Sequence, residues 1–326
     1  MLITTAHGSG GSATNKLVSE VFAKHFKNEI LDKLEDAAVV SSSGRIAIST
    51  DSFVVTPRFF PGGDIGKLAV CGTVNDLLMS GAIPKYLTCG FILEEGASIE
   101  ELDLIAASMA SEASEAGVII VAGDTKVVEG AGGIYINTTG VGFVPPERIL
   151  SLASLEEEDI IILSGTLGEH HATILSSRMH IQNTISSDCK VLKDGVEALF
   201  KAGIQIKAMR DVTRGGLGTI LNEFSIASGK GIEIEEAALP INPQVQGFCA
   251  ILGLNPLYMG NEGKFIAVVP KSQAELSLFT LYQMEGYREA AIIGKVVKKS
   301  GVCMHTKLGG MVRVEVLQGE GLPRIC

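Results

Sequence analysis

The sequence contains no tryptophan, and its 27 lysine and arginine residues are outnumbered by 37 aspartate and glutamate residues. The formal net charge is −10, and the basic residues form no block along the chain. Domains that bind nucleic acid usually present a basic face and aromatic side chains for base stacking. This composition therefore argues against nucleic acid as a partner.

Long apolar runs are missing as well. No stretch reaches the roughly 18 apolar residues that a membrane helix needs. Residues 1–7 also lack the basic segment and apolar core of a secretory signal. We therefore expect no association with a membrane and a cytoplasmic location.

The cysteines form no CxxC pair, which disfavours both a zinc knuckle and a thioredoxin-like redox site. There are six of them, at positions 71, 89, 189, 249, 303 and 326. Cys71, Cys89 and Cys249 lie within apolar patterns, where a small buried side chain is expected. Cys326 differs from the others because it is the last residue of the sequence.

Residues 318–326 are predicted to form a flexible tail that ends in Cys326. Gly319 and Gly321 supply backbone freedom, and Pro323 stiffens the tip. Eight extended residues span at most roughly 26–29 Å, so the thiol is expected to reach a site in its own subunit or in a neighbouring one. The alternative is an ordinary frayed terminus.

The 326 residues, of which 46% are apolar, suffice for two domains with sizeable cores. Pro145-Pro146 and the acidic run at 156–159 mark the predicted boundary. We expect an α+β domain over residues 1–150 and an α/β domain over 151–317, both mixing strands with helices.

Hydrophobic periodicity and capping signals predict the elements. Strands are expected over residues 45–50, 86–93, 118–122, 134–144, 160–163, 232–235, 264–269, 290–297 and 311–317. Helices are expected over 65–80, 98–116, 172–177, 192–202, 217–227 and 272–282. Ser98 and Glu101 match a capping box at the start of the second helix.

Four aspartates, Asp51, Asp76, Asp124 and Asp211, lie at the edges of apolar elements and beside Gly, Thr or Asn. Such acids are candidate ligands for Mg²⁺, which prefers one or two carboxylates together with water and phosphate oxygens. The alternative is that each caps a turn. No Walker A sequence is present, because Gly66-Lys67 is followed by Leu68. The Gly-rich stretch at residues 7–11 is a weak nucleotide signal, and a plain helix cap is the alternative.

Several short motifs together resemble the aminoimidazole ribonucleotide synthetase-like superfamily, over nearly the whole chain. Within it the sequence is similar to the carbamoyl dehydratase family of [NiFe]-hydrogenase maturation. The motifs are Asp51-Ser52, Gly62-Gly63-Asp64-Ile65-Gly66-Lys67, Asn75-Asp76, Gly123-Asp124-Thr125-Lys126, Asp211-Val212-Thr213-Arg214, Asn261-Glu262-Gly263-Lys264 and the terminal Pro323-Arg324-Ile325-Cys326.

The resemblance implies a two-domain PurM-like architecture and a homodimer formed through the first domain. It implies that ATP phosphorylates the oxygen of a carbamoyl group carried by the Cys326 thiol, and that loss of this oxygen leaves a thiocyanate. The carbamoyltransferase HypF would load the thiol. The cyanide would then pass to iron on a HypC–HypD scaffold as a ligand of the hydrogenase active site.

The resemblance also assigns roles to residues. Cys326, Lys126 and Glu262 would be catalytic, with Lys126 stabilising charge on the transferring phosphoryl group and Glu262 acting as the base. Asp51, Asp76 and Asp211 would hold Mg²⁺. The remaining residues expected to contact ATP are Gly63, Asp64, Lys67, Asn75, Gly123, Asp124 and Thr125.

Two other readings compete with this one. Another enzyme of the superfamily, such as selenophosphate synthetase or the purine-pathway synthetase, has no need of a terminal cysteine. A non-catalytic carrier that only presents Cys326 would have no use for the carboxylates.

Overall fold

The structure is a computed structural model, and it describes residues 2–4, 17–28 and 44–316. The expectations for residues 7–11 and for the tail with Cys326 lie outside these ranges. The described chain divides into two compact units. The first runs up to Phe59 and resumes over Gly63–Glu147, and the second comprises Phe60–Gly62 and the chain from Arg148 onward. No helix in the described ranges is long and apolar enough to cross a membrane.

The elements up to residue 144 are a π-helical turn (Val18–Phe22), α1 (Ala23–Phe26), β1 (Arg45–Phe53), β2 (Phe59–Phe60), β3 (Gly63–Asp64), α2 (Ile65–Met79), β4 (Ile83–Glu94), α3 (Ile99–Ala116), β5 (Ile119–Val128) and β6 (Ile134–Val144). Four of the strands form one sheet in the order β1-β6-β4-β5. β6 is antiparallel to both of its neighbours, and β4 and β5 run parallel.

Two strands of this sheet are longer than the sequence indicates. β1 continues through Asp51 to Phe53, because Asp51 pairs with Thr138 of β6. β5 continues through Gly123 to Val128, because it stays paired with β4. Asp51 and the Gly123–Lys126 stretch therefore lie within strands and not in the turns that follow them.

Helix α2 is buried on nearly all sides. Leu68, Cys71, Val74 and Leu78 are buried, and so are almost all the other residues of the helix. The helix contacts β1 and β6 on one side and α3 on another. A helix enclosed in this way carries apolar residues on most of its surface, and its charged residues Lys67 and Asp76 are the two that are not fully buried.

The capping box before α3 is only half formed. The Ser98 hydroxyl accepts a hydrogen bond from the Glu101 backbone N–H at 3.3 Å, as predicted. The Glu101 carboxylate, however, accepts a hydrogen bond from Arg58 at 2.7 Å. A long-range ion pair thus takes the place of the reciprocal contact that the local sequence favours.

The face of the sheet opposite α2 carries exposed apolar side chains. Ile46 and Ile48 of β1 are 47% and 70% exposed, and they are paired across the ladder with Phe143 and Val141 of β6. The Phe143 ring meets the Tyr86 ring edge to face, with centroids 6.3 Å apart. Because side chains alternate along a strand, these residues form one apolar patch on the outer face.

The second unit contains β7 (Ile160–Leu163), α4 (Glu169–Arg178), α5 (Lys193–Lys201), β8 (Ala208–Asp211), α6 (Gly216–Ser228), β9 (Gly231–Glu235), α7 (Pro243–Leu252), β10 (Phe265–Val269), α8 (Ala274–Tyr282), β11 (Ala291–Val297), β12 (Gly301–His305) and β13 (Met311–Arg313). Short 3-10 turns cover Leu152–Ser154, Glu236–Ala238, Pro256–Tyr258 and Lys271–Gln273. The seven strands follow the order β13-β12-β9-β11-β7-β10-β8. Only the β9–β12 pairing within this sheet is parallel.

Three elements of this unit were not predicted. One is strand β8, which is four residues long and is defined by its pairing with β10. The other two are helix α7 and strand β12. Helix α7 has clear local signals, because Asn242 caps its start, Pro243 follows the cap, and Gly253 ends it with a φ of 67°. Strand β12 is only five residues long, and its pairing with β9 is what defines it. Helix α7 could have been found from the sequence, whereas the two strands depend on tertiary contacts.

Arg148 forms a buried ion pair in the second unit. It is the first residue of that unit's long segment, and replacing it measures how far the pair stabilises the unit. Its side chain is 9% exposed and donates to both carboxylate oxygens of Glu197 at 2.7 and 2.9 Å. Its guanidinium carbon lies 4.0 Å from the centre of the Phe200 ring. Arg148→Met should lower the free energy of unfolding by about 3 kcal/mol, because it leaves the largely buried Glu197 carboxylate without this cation. Urea unfolding followed by circular dichroism measures this loss.

The matched control is Arg313→Met. Arg313 and Glu315 are 70% and 65% exposed and lie 2.9 Å apart, so this pair should contribute almost nothing. Equal losses in the two variants would show that burial of the Arg148 pair is irrelevant to its effect.

Candidate functional site

The structure brings Asp51 and Asp76 together where β1 contacts α2. The Ser49 hydroxyl donates to Asp76 Oδ2 at 2.6 Å, and Ser49 and Asp51 share one face of β1 because they are two residues apart. Asp51 Oδ2 lies 3.6 Å from the place where a Cβ on Gly72 would stand. Gly72 in turn lies one helical turn before Asp76. Carboxylates from a strand and from a helix therefore line the same contact between β1 and α2.

Gly72 explains how the helix comes this close to the strand. A Cβ at this position would lie 2.9 Å from the Phe53 ring, so any larger residue would push α2 away from β1. Thr73 of the same helix also shares a hydrogen bond with Thr138 of β6 at 2.5 Å. The spacing of the two aspartates is thus fixed by packing on both sides.

The motif around Asp64 serves the start of α2. The Asp64 carboxylate accepts hydrogen bonds from the backbone N–H groups of Gly66 and Lys67 at 2.6 and 3.0 Å, as an N-cap does. Burial raises the pKa of Asp64, although these bonds act in the other direction. Gly63 directly precedes this cap, in the short strand β3.

Lys67 is not brought to the Asp51–Asp76 pair. Its ammonium group lies 3.0 Å from Glu112 of α3, and the Cys71 thiol faces the same carboxylate at 3.7 Å. Nine residues separate Lys67 from Asp76, which places the two side chains about half a turn apart around α2. Asn75, next to Asp76, is buried.

Gly123, Asp124, Thr125 and Lys126 lie on β5, an edge strand of the first sheet. Gly123 passes close to β4, since a Cβ there would lie 2.8 Å from the Cys89 carbonyl oxygen. The Lys126 ammonium group lies 2.8 Å from Asp124, with side chains 67% and 68% exposed. Its hydrogen bond lowers the pKa of Asp124. Because these two residues alternate with Thr125, the Thr125 side chain points to the opposite face.

The four residues of the Asn261–Lys264 stretch, in the second unit, make different contacts. Asn261 is buried, accepts from the Gly168 N–H at 2.7 Å and donates to the Val212 carbonyl at 3.0 Å. Gly263 has no room for a side chain, because a Cβ would clash with the Asp188 carbonyl oxygen. Lys264 is buried in an ion pair. Glu262 is the one residue of the four whose side chain is not buried.

Asp211 lies next to this stretch. It is the last residue of β8, is buried, and pairs with Phe265 of β10. The following residue, Val212, accepts a hydrogen bond from the Asn261 N–H at 2.9 Å. Arg210 lies 3.6 Å from Glu223.

The residues that hold Glu262 in place were missed from the sequence. Asp188 accepts from the backbone N–H groups of Glu262 and Gly263 and also from Lys264. It lies 74 residues away from Glu262, just after a stretch without recognisable pattern. Only the tertiary structure brings the two together.

The cysteines within the described ranges behave as packing residues. Cys71, Cys89, Cys189 and Cys249 are buried, and Cys303 is half-buried. Burial raises the pKa of Cys249 to about 11 and that of Cys89 further. The described part of the chain contains no group of three or more His, Cys, Asp or Glu side chains placed to hold a metal ion by themselves. Mg²⁺ needs fewer when phosphate supplies the other oxygens, and the Asp51–Asp76 pair with the Ser49 hydroxyl is an oxygen donor set of that kind.

Comparison with known proteins places the chain in a family. Residues 34–144 match the N-terminal domain of AIR synthase related proteins, and residues 156–306 match their C-terminal domain. The chain is 49% identical over 331 residues to the carbamoyl dehydratase HypE of Azotobacter vinelandii, covering 99% of this chain and 97% of that protein. The chain belongs to the HypE carbamoyl dehydratases of the AIR synthase related family.

Solved HypE structures share the fold. One HypE in complex with ATP superposes with a TM-score of 0.95 at 45% identity, covering 99% of each chain. A HypE–HypF complex matches with a TM-score of 0.82 at 44% identity, covering 92% of this chain and 99% of the other. The predicted two-domain PurM-like architecture is confirmed. The readings as selenophosphate synthetase or the purine-pathway synthetase are set aside.

Two adjacent histidines at the start of α4 are buried without full hydrogen bonding. His170 Nδ1 lies 2.8 Å from the Ser187 hydroxyl, and its ring meets Phe60 edge to face at 5.4 Å. The Nε2 atoms of His170 and His171 have no hydrogen-bond partner among the described residues. Burial lowers the pKa of both imidazoles to about 4. Both side chains are therefore neutral parts of the core.

This burial predicts acid sensitivity. An imidazole with a pKa of about 4 in the folded state and 6.5 as its ordinary value stays neutral in the fold while the unfolded chain takes up a proton. Stability is therefore full above pH 6.5 and falls as the pH drops towards 4, by at most about 3 kcal/mol for His170. His170→Gln should flatten this fall in urea midpoints measured between pH 7 and 4.5.

The control for His170 is Phe60→Leu, which alters the same ring contact without removing a titrating group. It should lower stability by the same amount at every pH. If Phe60→Leu and His170→Gln gave parallel curves, His170 would not be the origin of the acid sensitivity.

The Asp51–Asp76 pair predicts the result of removing one charge. Asp76→Asn keeps the shape of the side chain but should abolish Mg²⁺-dependent ATP hydrolysis. The thermal midpoint without nucleotide should stay equal or rise, because one of two neighbouring carboxylates is neutralised. ADP release with and without Mg²⁺ measures the hydrolysis, calorimetric titration with a non-hydrolysable ATP analogue measures the nucleotide affinity, and a thermal scan measures the stability.

Ser49→Ala is the matched variant, because it removes the 2.6 Å hydrogen bond to Asp76 but leaves the charge. It should keep the dependence on Mg²⁺ with a weaker affinity. Unchanged nucleotide affinity and turnover in Asp76→Asn would remove Asp76 from the site.

Proposed function

We propose that this protein is an ATP-dependent carbamoyl dehydratase that converts an S-carbamoyl group on its own Cys326 to a thiocyanate, the source of the cyanide ligand of [NiFe]-hydrogenase iron. The observation that carries this is the match over 99% of both chains to a HypE bound to ATP. Relatives from Azotobacter vinelandii and Escherichia coli that match over 99% of this chain are carbamoyl dehydratases.

The reaction has two halves. First, the carbamoyl oxygen attacks the γ-phosphorus, ADP leaves, and a first proton is lost from nitrogen, which gives an O-phosphorylated imidate. Second, loss of the remaining nitrogen proton lets phosphate depart, carrying the former carbamoyl oxygen, and forms the C≡N bond. One ATP and one carbamoyl group thus give one ADP, one phosphate and one thiocyanate.

Lys126 serves the first half. Charge builds up on the phosphoryl oxygens during transfer, and a cation beside them stabilises it. The Lys126 ammonium group lies on an exposed strand and contacts Asp124 across a solvated surface. Because an exposed ion pair is weak, Lys126 can exchange this partner for phosphate oxygens at little cost.

Asp51, Asp76 and Asp211 are proposed as the Mg²⁺ ligands, and Gly123, Asp124 and Thr125 as contacts of the nucleotide. Bound Mg²⁺ supplies positive charge that neutralises phosphate oxygens. The Asp51–Asp76 junction supports this because it presents two carboxylates on a rigid helix and strand. Asp64 and Lys67 have structural contacts of their own, so their part at the nucleotide would be indirect.

Glu262 serves the second half as the base that removes the nitrogen proton. Its backbone is tied to neighbouring segments by hydrogen bonds, and its side chain alone among the four motif residues is not buried. A carboxylate on a fixed loop can take a proton from one defined position.

The partners follow from the family and from one surface. The carbamoyltransferase HypF, which a HypE relative binds in a solved complex, would load Cys326, and a HypC–HypD complex would take the cyanide. A second copy of this chain would cover the apolar patch around Ile46, Ile48 and Phe143, giving a homodimer.

A single-turnover experiment on carbamoylated protein separates the two halves. Lys126→Ala should leave the S-carbamoyl group intact and form little ADP, because phosphoryl transfer fails. Glu262→Gln should still form ADP and phosphate, as the activated intermediate is hydrolysed, but no thiocyanate. Rapid quench, with ADP and the mass of the C-terminal peptide followed together, measures both.

Two further variants serve as controls for this experiment. Lys85→Ala removes another exposed lysine of the same sheet and should react like the parent. Cys326→Ala should fold normally and accept no carbamoyl group. Thiocyanate at the parental rate in Glu262→Gln, or equal loss of ADP in both variants, would contradict the assigned roles. A lack of ATP turnover in the carbamoylated parent would favour a carrier.

A further inference from the structure

Glu262 is held through both of its backbone polar groups by one distant segment. Its N–H donates to Asp188 Oδ1 at 3.2 Å, and its carbonyl oxygen accepts from the Lys190 N–H at 3.3 Å. The next N–H, of Gly263, donates to the other Asp188 oxygen at 3.0 Å. The position of the Glu262 backbone therefore depends on residues 188–190.

Asp188 can do this because a buried cation balances its charge. Its carboxylate is 2% exposed and lies 3.1 Å from the Lys264 ammonium group, which is 8% exposed and also lies 3.1 Å from Glu169. Burial opposes both charges, but each supports the other: Lys264 keeps the pKa of Asp188 low, and Asp188 with Glu169 keeps the pKa of Lys264 high. The acceptor for the two N–H groups is thus a full carboxylate, which binds them more strongly than a neutral group.

Gly263 completes the contact. A Cβ on this residue would collide with the Asp188 carbonyl oxygen, so the two backbones meet without an intervening side chain. On the opposite side Asn261 binds the Val212 and Met259 carbonyls at 3.0 and 3.1 Å. Hydrogen bonds to several segments thus hold the loop, and Glu262 is the residue of the four whose side chain is not buried.

We propose that Asp188 and Lys264 are positioning residues that hold the Glu262 carboxylate where it takes the nitrogen proton in the second half of the reaction. This inference rests on the proposed function, because it needs Glu262 as the base. A proton acceptor displaced by about 1 Å loses on the order of a hundredfold in rate. The pair acts through the Glu262 backbone and touches no reacting atom.

A second buried pair in the same unit supplies the matched control. Lys207 and Asp159 lie 2.8 Å apart and are 7% and 5% exposed. They resemble Lys264 and Asp188 in burial and distance, but none of the hydrogen bonds of the described residues links them to the 261–264 loop. Breaking either pair should destabilise the unit, and only one should disturb Glu262.

The test compares Asp188→Asn with Asp159→Asn in the full-length protein, carbamoylated by its carbamoyltransferase and followed through one turnover. Both should lower the thermal midpoint. Asp188→Asn should form ADP near the parental rate but yield about ten- to a hundredfold less thiocyanate per ADP, whereas Asp159→Asn should keep the parental yield. Equal yields in the two variants would overturn the proposal.

Two further variants keep the test decisive if Asp188→Asn folds poorly. Lys264→Met should give the same low yield, because it leaves Asp188 without its cation. The double variant Asp188→Asn with Lys264→Met removes both buried charges and should recover stability relative to the single variants while the yield stays low. Recovery of the yield together with stability would show that the pair only stabilises the fold.

Hydrogen exchange separates this proposal from the proposed function. In Asp188→Asn the exchange of the Glu262 and Gly263 amides should accelerate by at least about tenfold more than that of the β10 amides, which report the loss of overall stability, whatever Glu262 does chemically. Thiocyanate formation by Glu262→Gln alone would refute the assignment of the base, while an acceleration of the two amides no greater than that of the β10 amides would refute the positioning role.

Discussion

The buried ammonium group of Lys264 constrains more of the second unit than any surface feature does. A cation removed from water needs carboxylates at hydrogen-bond distance, and Asp188 and Glu169 supply them from two separate parts of the chain. Asp188 then binds the backbone that precedes Lys264, and Asn261 binds the backbone that follows β8. One charge thus fixes where three segments meet, just before β10 enters the sheet.

This arrangement explains why only one of the four residues in the Asn261–Lys264 motif is proposed to take part in the reaction. The polar atoms of Asn261 and Lys264 bind neighbouring segments, and Gly263 is needed because two backbones are in contact there. Glu262 is the one whose side chain is only partly buried, on a loop whose backbone these hydrogen bonds hold. The motif at the start of α2 is similar, since Asp64 caps the helix and Lys67 pairs with Glu112. Membership of a motif therefore does not imply contact with a ligand.

Sequence patterns predicted what depends on neighbours along the chain. Most strands and helices were found because periodicity and caps are local, and even the missed helix α7 carries an Asn242 cap and a terminal Gly253. Asp51 and Asp76 were noted from the sequence as acids at element edges, and both lie where β1 contacts α2. Contacts made only in the folded state were not: the Arg58–Glu101 pair replaced a predicted cap, and nothing near Asp188 in the sequence indicates that it binds Glu262.

The two proposed catalytic side chains differ in rigidity, and the difference suits the order of their tasks. Lys126 stands on an edge strand with a solvated partner, so its long side chain can follow phosphoryl oxygens as they move from ATP to the carbamoyl group. Glu262 acts on a nitrogen proton at one place and one moment, and its backbone is bonded on both polar groups. A mobile cation tolerates displacement because Coulomb attraction falls slowly with distance, whereas proton transfer requires hydrogen-bond geometry. This difference is consistent with a buried Asp188–Lys264 pair that positions the proposed base, Glu262, and with a Lys126 cation that stays at the surface.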